Sequence, residues 1–192
     1  MSTRVHQKER TRQAIVTAAR EIVAAGEEIT MPDVAKRALV SEATAYRYFP
    51  DLGSLLREVL AGVWDSPEVT MAPVADCDDA VRRISFATEA LLREVLAHEA
   101  AVRAMIATSI TRPQLDGLRP ARRIGLIDIA LRPVSGLDPI TFQQLKRSLA
   151  VVISAEALFT LMDLCELLPD EAVASAAATA RSLTHAALAA SR

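Results

Sequence analysis

The stretch from Thr44 to Tyr48 carries the side chains best suited to chemistry with another molecule. Thr44 and Tyr48 supply hydroxyl groups, and Arg47 supplies a guanidinium. Residues three or four apart share one face of a helix. An arginine beside hydroxyl groups is suited to contact base edges and phosphates in the major groove of DNA. The spacing therefore predicts a DNA-reading helix.

The neighbouring residues predict two short helices joined by a turn within residues 30–49. Thr30 is a good N-cap for the first helix, and Pro32 suits its first turn because proline lacks an N–H. Ser41 is the N-cap of the second helix, which is expected to end before Pro50. The pattern is typical of a helix-turn-helix.

Apolar residues at helical spacing predict what packs around this pair. In the DNA-reading helix, Ala45 and Phe49 share the inward face. A helix before the pair is expected to end at Gly26, and a fourth helix is expected to start at Asp51. The apolar stripes of these two flanking helices are Ile15, Ala18, Ala19, Ile22 and Val23, and Leu52, Leu55, Leu56, Val59, Leu60 and Val63.

Val40-Ser41 followed by Thr44-Ala45-Tyr46-Arg47-Tyr48-Phe49 resembles the helix-turn-helix of the tetracycline-repressor (TetR) family of transcriptional regulators. With the flanking helices, the resemblance covers about the first third of the chain. It implies a DNA-binding domain over residues 7–67 and an effector-binding and dimerisation domain over residues 68–192. Two positions depart from the family pattern: Leu39 stands where glycine is usual, and Leu52 stands where lysine is usual.

Within that resemblance, Thr44 and Arg47 are expected to contact base edges. The expected positioning residues on the DNA are Arg4, Lys8, Arg10, Thr30, Ser41, Ala43, Tyr46 and Tyr48. The basic residues among them, with Arg12, form an arm that is expected ahead of the first helix. Such an arm either contacts phosphate or the minor groove, or is a frayed, solvated terminus.

Composition restricts the class of protein. The 192 residues carry 22 Lys and Arg against 24 Asp and Glu, so a uniformly basic coat is excluded and any DNA surface must be local. Few aromatic residues and much Ala and Leu favour an all-α fold. Cys77 and Cys165 have no metal-ligand or disulfide spacing, and no signal or membrane-spanning segment is evident, which predicts a cytoplasmic protein.

About nine helices are expected in all, with residues 65–75 as the linker between the domains. Pro113 and Gly117 interrupt the helical pattern. A long helix is expected from Pro139 to about Leu168, followed by a last helix capped by Asp170. The last two helices are apolar over a wide arc, which predicts either a homodimer through a four-helix bundle or helices buried within one subunit.

The larger domain carries no enzyme motif, and no metal or cofactor is predicted. Glu94 and His98 lie four residues apart and are interpreted as a surface contact rather than a metal site. Asp128 is expected to pair with Arg132, whereas Glu156 has no local partner and is a candidate for a pocket. The family resemblance implies a small-molecule effector, apolar or amphipathic, in a cavity with the candidate lining Trp64, Phe86, His98, Met105, Ser109, Glu156 and Phe159.

The expected function is sequence-specific regulation of transcription, by a repressor that an effector releases from its operator. Two alternatives remain open. The helical hairpin could instead bind a protein, or the larger domain could be a helical enzyme that uses Glu156 and His98.

Overall fold

A computed structural model describes residues 2–111 and 122–190, with side chains from Val5 onward. The predicted interruptions at Pro113 and Gly117 lie outside these residues. The described residues form helices and no strand, which confirms the all-α prediction. The helices are α1 Ser2–Ala24, α2 Met31–Arg37, α3 Glu42–Tyr48, α4 Leu52–Ala61, α5 Pro67–Met71, α6 Ala80–Ala97, α7 Glu99–Thr111, α8 Arg122–Ala130, α9 Pro139–Val152, α10 Ala155–Asp163 and α11 Pro169–Ala189.

The eleven described α-helices exceed the predicted nine for local reasons. The predicted linker at 65–75 contains α5, which is capped by the Ser66 hydroxyl, and a 3₁₀ turn at 72–74. The long helix predicted from Pro139 is divided at Ile153, where ψ is 68°. Ser154 then caps α10 by accepting a hydrogen bond from the Ala157 N–H at 3.0 Å.

The start of the last helix also differs from the prediction. Leu168, rather than Asp170, is the N-cap residue of α11. The Leu168 N–H donates to the Glu171 carboxylate at 3.0 Å, while Asp170 accepts a hydrogen bond from Arg93 at 2.9 Å. Pro169 occupies the first helical position, where its missing N–H leaves no bond unmade.

The described residues form two compact units, and the first holds α1 to α4 together with α7. Here α1 packs on α2 and α4, α2 packs on α3, and α4 packs on α7. Fully buried side chains from α1 and α4 fill the centre, including Ile15, Ile22, Leu55, Leu56 and Leu60. Gly53 of α4 lies so close to α7 that a Cβ atom there would be 2.7 Å from Cγ2 of Thr108.

The second unit holds α5, α6 and α8 to α11. The most extensive helix packing in this unit is between α11 and α6, and α11 also packs on α9 and α10. The alanines of α11 allow this close approach, since Ala172, Ala176, Ala177 and Ala180 are buried along one face. The rest of its core is aliphatic and includes Ile84, Leu126, Ile127, Leu149 and Ile153.

Ion pairs within the second unit revise several predicted contacts. Asp128 pairs with Lys146 of α9 at 2.5 Å, and not with the predicted Arg132. Glu156, predicted without a local partner, lies 3.6 Å from Arg123. Glu94 accepts hydrogen bonds from Arg122 at 2.7 to 3.0 Å, so this carboxylate is engaged within the fold. The partners are distant in sequence.

Asp138, at the start of α9, caps that helix as predicted. Its carboxylate accepts from the Ile140 and Thr141 N–H groups at 3.0 and 3.1 Å. The pKa of Asp138 is held below its ordinary value of 3.8, because hydrogen bonds from Thr141 stabilise the ionised form. The side chain of Thr141 makes the larger contribution and its backbone N–H the next. None of the helices in the described ranges is both long enough and apolar enough to cross a membrane.

Candidate nucleic-acid interface

The predicted N-cap of α3 is present. The Thr44 N–H donates to the Ser41 hydroxyl oxygen at 3.2 Å, and the Ser41 hydroxyl donates to the Thr44 hydroxyl at 2.9 Å. Ser41 therefore fixes both the start of the helix and the side chain of Thr44. At the other end the Phe49 N–H donates to the Ala45 carbonyl at 2.9 Å, after which Pro50 follows.

The turn before α3 has the geometry that the family usually builds with glycine. Leu39 has a φ of 55°, in the left-handed region that glycine adopts without steric cost. The N–H groups of Ala38, Leu39 and Val40 all donate to carbonyls of α2, at 2.8, 3.2 and 3.0 Å. The leucine thus leaves the turn intact, and its side chain is 92% exposed.

Burial divides α3 into the two predicted faces. Ala45 and Phe49 are buried, while Tyr46 and Arg47 are exposed. Tyr48 is half-buried, and its ring centroid lies 5.7 Å from the guanidinium carbon of Arg47. This cation–π contact pairs the Arg47 guanidinium with the neighbouring ring. The helix therefore presents a guanidinium and hydroxyl groups on a surface fixed by its buried side.

Arg12 ties three helices of this unit together. Both of its terminal guanidinium nitrogens bind the Glu58 carboxylate of α4. The same guanidinium lies 5.1 Å from the ring centroid of Phe49, at the end of α3. The sequence grouped Arg12 with the basic arm, but its partners make it an anchor between α1, α3 and α4.

The basic arm is not separate from the first helix, because α1 extends back to Ser2. Lys8 and Arg10 are exposed on its first turns, whereas the side chain of Arg4 lies outside the described residues. The two described cations are therefore displayed by a helix rather than by an extended segment.

The remaining predicted residues lie at the starts of α2 and α3. The Thr30 hydroxyl oxygen accepts from the Asp33 N–H at 3.3 Å and caps α2. Ala43 is exposed in the first turn of α3, beside the capped Thr44. Both residues lie at helix N-termini, where backbone N–H groups favour a phosphate.

Sequence reasoning missed two further cations, at the end of α2. Lys36 and Arg37 are exposed in its last turn, next to the turn that leads into α3. Arg37 donates to Glu27 at 3.2 Å, whereas no ion pair engages Lys36 within the described part of the chain. The signal was two adjacent basic residues ending a helix just before the turn.

The predicted effector residues belong to both units. Trp64, His98, Met105 and Ser109 lie in the first unit, and the Ser109 hydroxyl donates to the Ile106 carbonyl at 2.8 Å. The others lie in the second unit, where Phe159 is buried, Phe86 packs against the core and Glu156 is near Arg123. The described residues contain no group of three or more acidic, histidine or cysteine side chains that could hold a metal ion.

A capped recognition helix, an ordered turn and a packed first helix define a helix-turn-helix DNA-binding protein. Residues 14–59 match the family model described as bacterial regulatory proteins, tetR family. This match, from α1 to α4, shows a TetR-type DNA-binding domain at the N-terminus and supports a DNA-binding transcriptional regulator of that family. Members of this family are regulators rather than enzymes. No curated protein matches the chain significantly.

Proposed function

We propose that the protein is a homodimeric repressor that leaves its operator when a small-molecule effector binds. The outer face of α3 is the observation that supports DNA binding by this protein. Arg47, Thr44 and Tyr46 stand on a helix whose opposite side is fixed by buried Ala45 and Phe49. A rigid helix that displays polar side chains is what readout in the major groove requires.

Each residue of this face has a distinct role in the proposed complex. Arg47, paired with the Tyr48 ring, reads a base edge, and guanine is the base that presents two acceptors to an arginine. Thr44 contacts the groove from the first turn, where Ser41 holds it. Lys8, Arg10 and the hydroxyl groups of the tyrosines contact phosphates. In a two-fold dimer, the two recognition helices enter major grooves about 34 Å apart or a multiple of it.

The proposed dimer interface lies on α9, α10 and α11, which form the predicted last two helices. Apolar side chains that are exposed in the single chain support it: Val151, Leu164 and Leu168 are 71%, 79% and 66% exposed. A groove of about 340 Å³ between α9 and α11 is lined in part by Leu145 and Leu183. Apolar surface of this kind is buried when a second copy packs against it.

The effector acts in this proposal by differential affinity. It binds best to a conformer in which the two recognition helices are misplaced for the operator, and so draws the population away from the DNA-competent conformer. A ligand with equal affinity for both conformers would leave operator binding unchanged. The proposed binding region is formed by the predicted lining residues of the first unit, Trp64, His98, Met105 and Ser109.

The first test is binding of the full-length protein to the intergenic DNA beside its own gene, at two salt concentrations. Binding should resist competitor DNA and weaken as salt rises, because counterions are released from the phosphates. The variant R47A should lose about tenfold to a hundredfold in affinity, since an arginine contact to a base contributes about 1–3 kcal/mol. Competitor-sensitive binding with no selected sequence would favour the protein-interaction module.

R82A is the matched control. Arg82 is an exposed arginine of α6 in the second unit, so R82A removes the same charge from the protein outside the recognition helix. R82A should retain the affinity of the parent protein. Equal affinities of R47A and R82A would contradict the assigned role of Arg47.

A further inference from the structure

Two buried nitrogens in the first unit lack hydrogen-bond partners. They are Nε1 of Trp64 and Nδ1 of His98, and they are the only such side-chain atoms found in the described parts of the chain. Buried polar atoms in folded proteins are nearly always hydrogen-bonded, because an unmet one destabilises the fold. Both atoms therefore point to a partner outside the polypeptide.

The packing of α4 on α7 brings these two residues to the same end of the helix pair. Gly53, in the first turn of α4, faces Thr108, in the last turn of α7, and the two helices contact each other at further positions. They are therefore antiparallel. Trp64 follows the end of α4 and His98 precedes the start of α7, so both lie where the end of one helix meets the start of the other.

The backbone holds both residues in place. The Trp64 N–H donates to the Leu60 carbonyl at 3.1 Å, which continues the last turn of α4. The His98 carbonyl accepts from the Val102 N–H at 3.0 Å, which begins α7. The two side chains consequently start from fixed positions, as a preorganised binding site requires.

The adjacent turns are largely apolar. Leu60 and Val102, one turn inside from Trp64 and His98, are almost completely buried. Residues 60–65 and 97–102 contain no lysine or arginine, and their acidic residues are Asp65 and Glu99. Glu99 accepts from Arg103 at 2.8 Å. A Cβ atom at Gly62 would lie 2.5 Å from Nη2 of Arg20, so cations of α1 and α7 stand beside these acidic groups, and the ligand chemistry follows from the two unpartnered nitrogens.

We propose that the effector is a largely apolar molecule with a hydrogen-bond acceptor such as a carbonyl oxygen, held by Trp64 and His98. The Trp64 indole can only donate, so it requires an acceptor. His98 Nδ1 donates to the same oxygen or accepts from a neighbouring hydroxyl, according to its tautomer. This inference rests on the proposed effector-controlled function and assigns the chemistry of the ligand.

The sequence contains one tryptophan, which gives a direct probe. In a ¹⁵N–¹H correlation spectrum of the full-length protein, the indole N–H of Trp64 is the only indole signal. Addition of 2-octanone or cyclohexanone should move its proton downfield saturably, as a hydrogen bond forms. The matched hydrocarbons octane and cyclohexane should bind at least about tenfold more weakly, since they cannot accept a hydrogen bond.

One further comparison tests the assigned chemistry. W64F keeps an aromatic ring but removes the donor, so in calorimetry it should bind 2-octanone about as weakly as the parent protein binds octane. Unchanged octane binding by W64F would show that the fold and the apolar surroundings are intact.

Three outcomes would overturn the proposal. The first is equal affinity for ketone and hydrocarbon, and the second is no binding of either ketone. The third is a long-lived water bound at Nε1 of Trp64 in the ligand-free protein, which would be seen as magnetisation exchange from water to the indole proton. Operator affinity is measured separately, without ketone and with it. Absence of operator binding by the parent protein without ketone would refute the regulator, whereas ketone binding that leaves operator affinity unchanged would refute only the release mechanism.

Discussion

Arg12 and Arg83 each join helices within one unit of the protein, but their surroundings differ. The side chain of Arg12, in the first unit, is 39% exposed and contacts the Glu58 carboxylate and the Phe49 ring. Arg83, in the second unit, is only 3% exposed, and no described carboxylate pairs with it. It donates instead to backbone carbonyls, at 2.5 to 3.3 Å, of Val74, Ala75, Cys77, Ile129 and Ala130.

The difference shows two ways of fixing helices. A half-exposed ion pair contributes at most about 1 kcal/mol, so the first unit depends on many small contributions such as caps, turns and close helix contacts. A buried arginine that satisfies several carbonyls is hard to replace, because each carbonyl would lose its partner in a water-free site. Arg83 also lies at the carboxyl end of α8, where the helix dipole favours a cation.

The largest expected effect is therefore at Arg83. R83M keeps most of the apolar stem but removes every donor, and should lower the free energy of unfolding by about 3 kcal/mol or more. Urea unfolding followed by circular dichroism measures this change. R82A, at the exposed neighbouring position, should change it by less than about 0.5 kcal/mol. A loss below about 1 kcal/mol in R83M would show that water replaces the arginine easily.

The next effect concerns close packing in each unit. A Cβ at Gly53 would lie 2.7 and 2.8 Å from two carbon atoms of Thr108, whereas a Cβ at Gly125 of α8 would lie 3.0 Å from a ring carbon of Pro67. G53A should lower the free energy of unfolding by about 1–3 kcal/mol through overpacking. G125A should lower it less, since the smaller overlap is offset by the better helix propensity of alanine.

Denaturant unfolding of the two glycine variants measures that difference. Stabilisation of the protein by G53A would mean that α4 and α7 separate at little cost. The first unit would then not depend on a tight contact between these two helices.

Local features of the fold were predictable from the sequence. Thr30, Ser41, Asp51 and Asp138 cap the helices for which they were predicted, because a cap involves atoms only two or three residues apart. The two faces of α3 followed from helical spacing for the same reason. The division between α9 and α10 was missed although Ser154 is a good N-cap, because the apolar pattern continues through it.

Contacts between distant residues were not predictable. Asp128 has a cation four residues away, yet it pairs with Lys146 on another helix. Arg83 gave no sign of burial, since its partners are carbonyls that any residue possesses. The unpartnered nitrogens of Trp64 and His98 are likewise visible only in the folded chain, because a missing partner cannot be identified before the neighbours are known.

A smaller effect is expected at Arg12. R12Q removes the ion pair with Glu58 and the cation above Phe49, and should lower the free energy of unfolding by about 1 kcal/mol. Combining R12Q with E58Q in a double-mutant cycle isolates the ion pair, whose coupling should be below about 1 kcal/mol. A coupling of about 3 kcal/mol would place Arg12 in the same energetic class as Arg83.

The smallest expected effects are at two residues, one in each unit, that share the same left-handed backbone conformation. Leu39 and Glu166 both have a φ of 55°, and both side chains are exposed. L39G and E166G should each remove left-handed strain but increase the entropy of the unfolded chain, so each should stabilise the protein by at most about 1 kcal/mol. Thermal unfolding measures both. Measuring operator affinity then distinguishes the two positions. If Leu39 serves only the turn, L39G and E166G bind the operator with the same affinity. A tenfold loss of affinity in L39G alone would mean that this exposed leucine touches the operator.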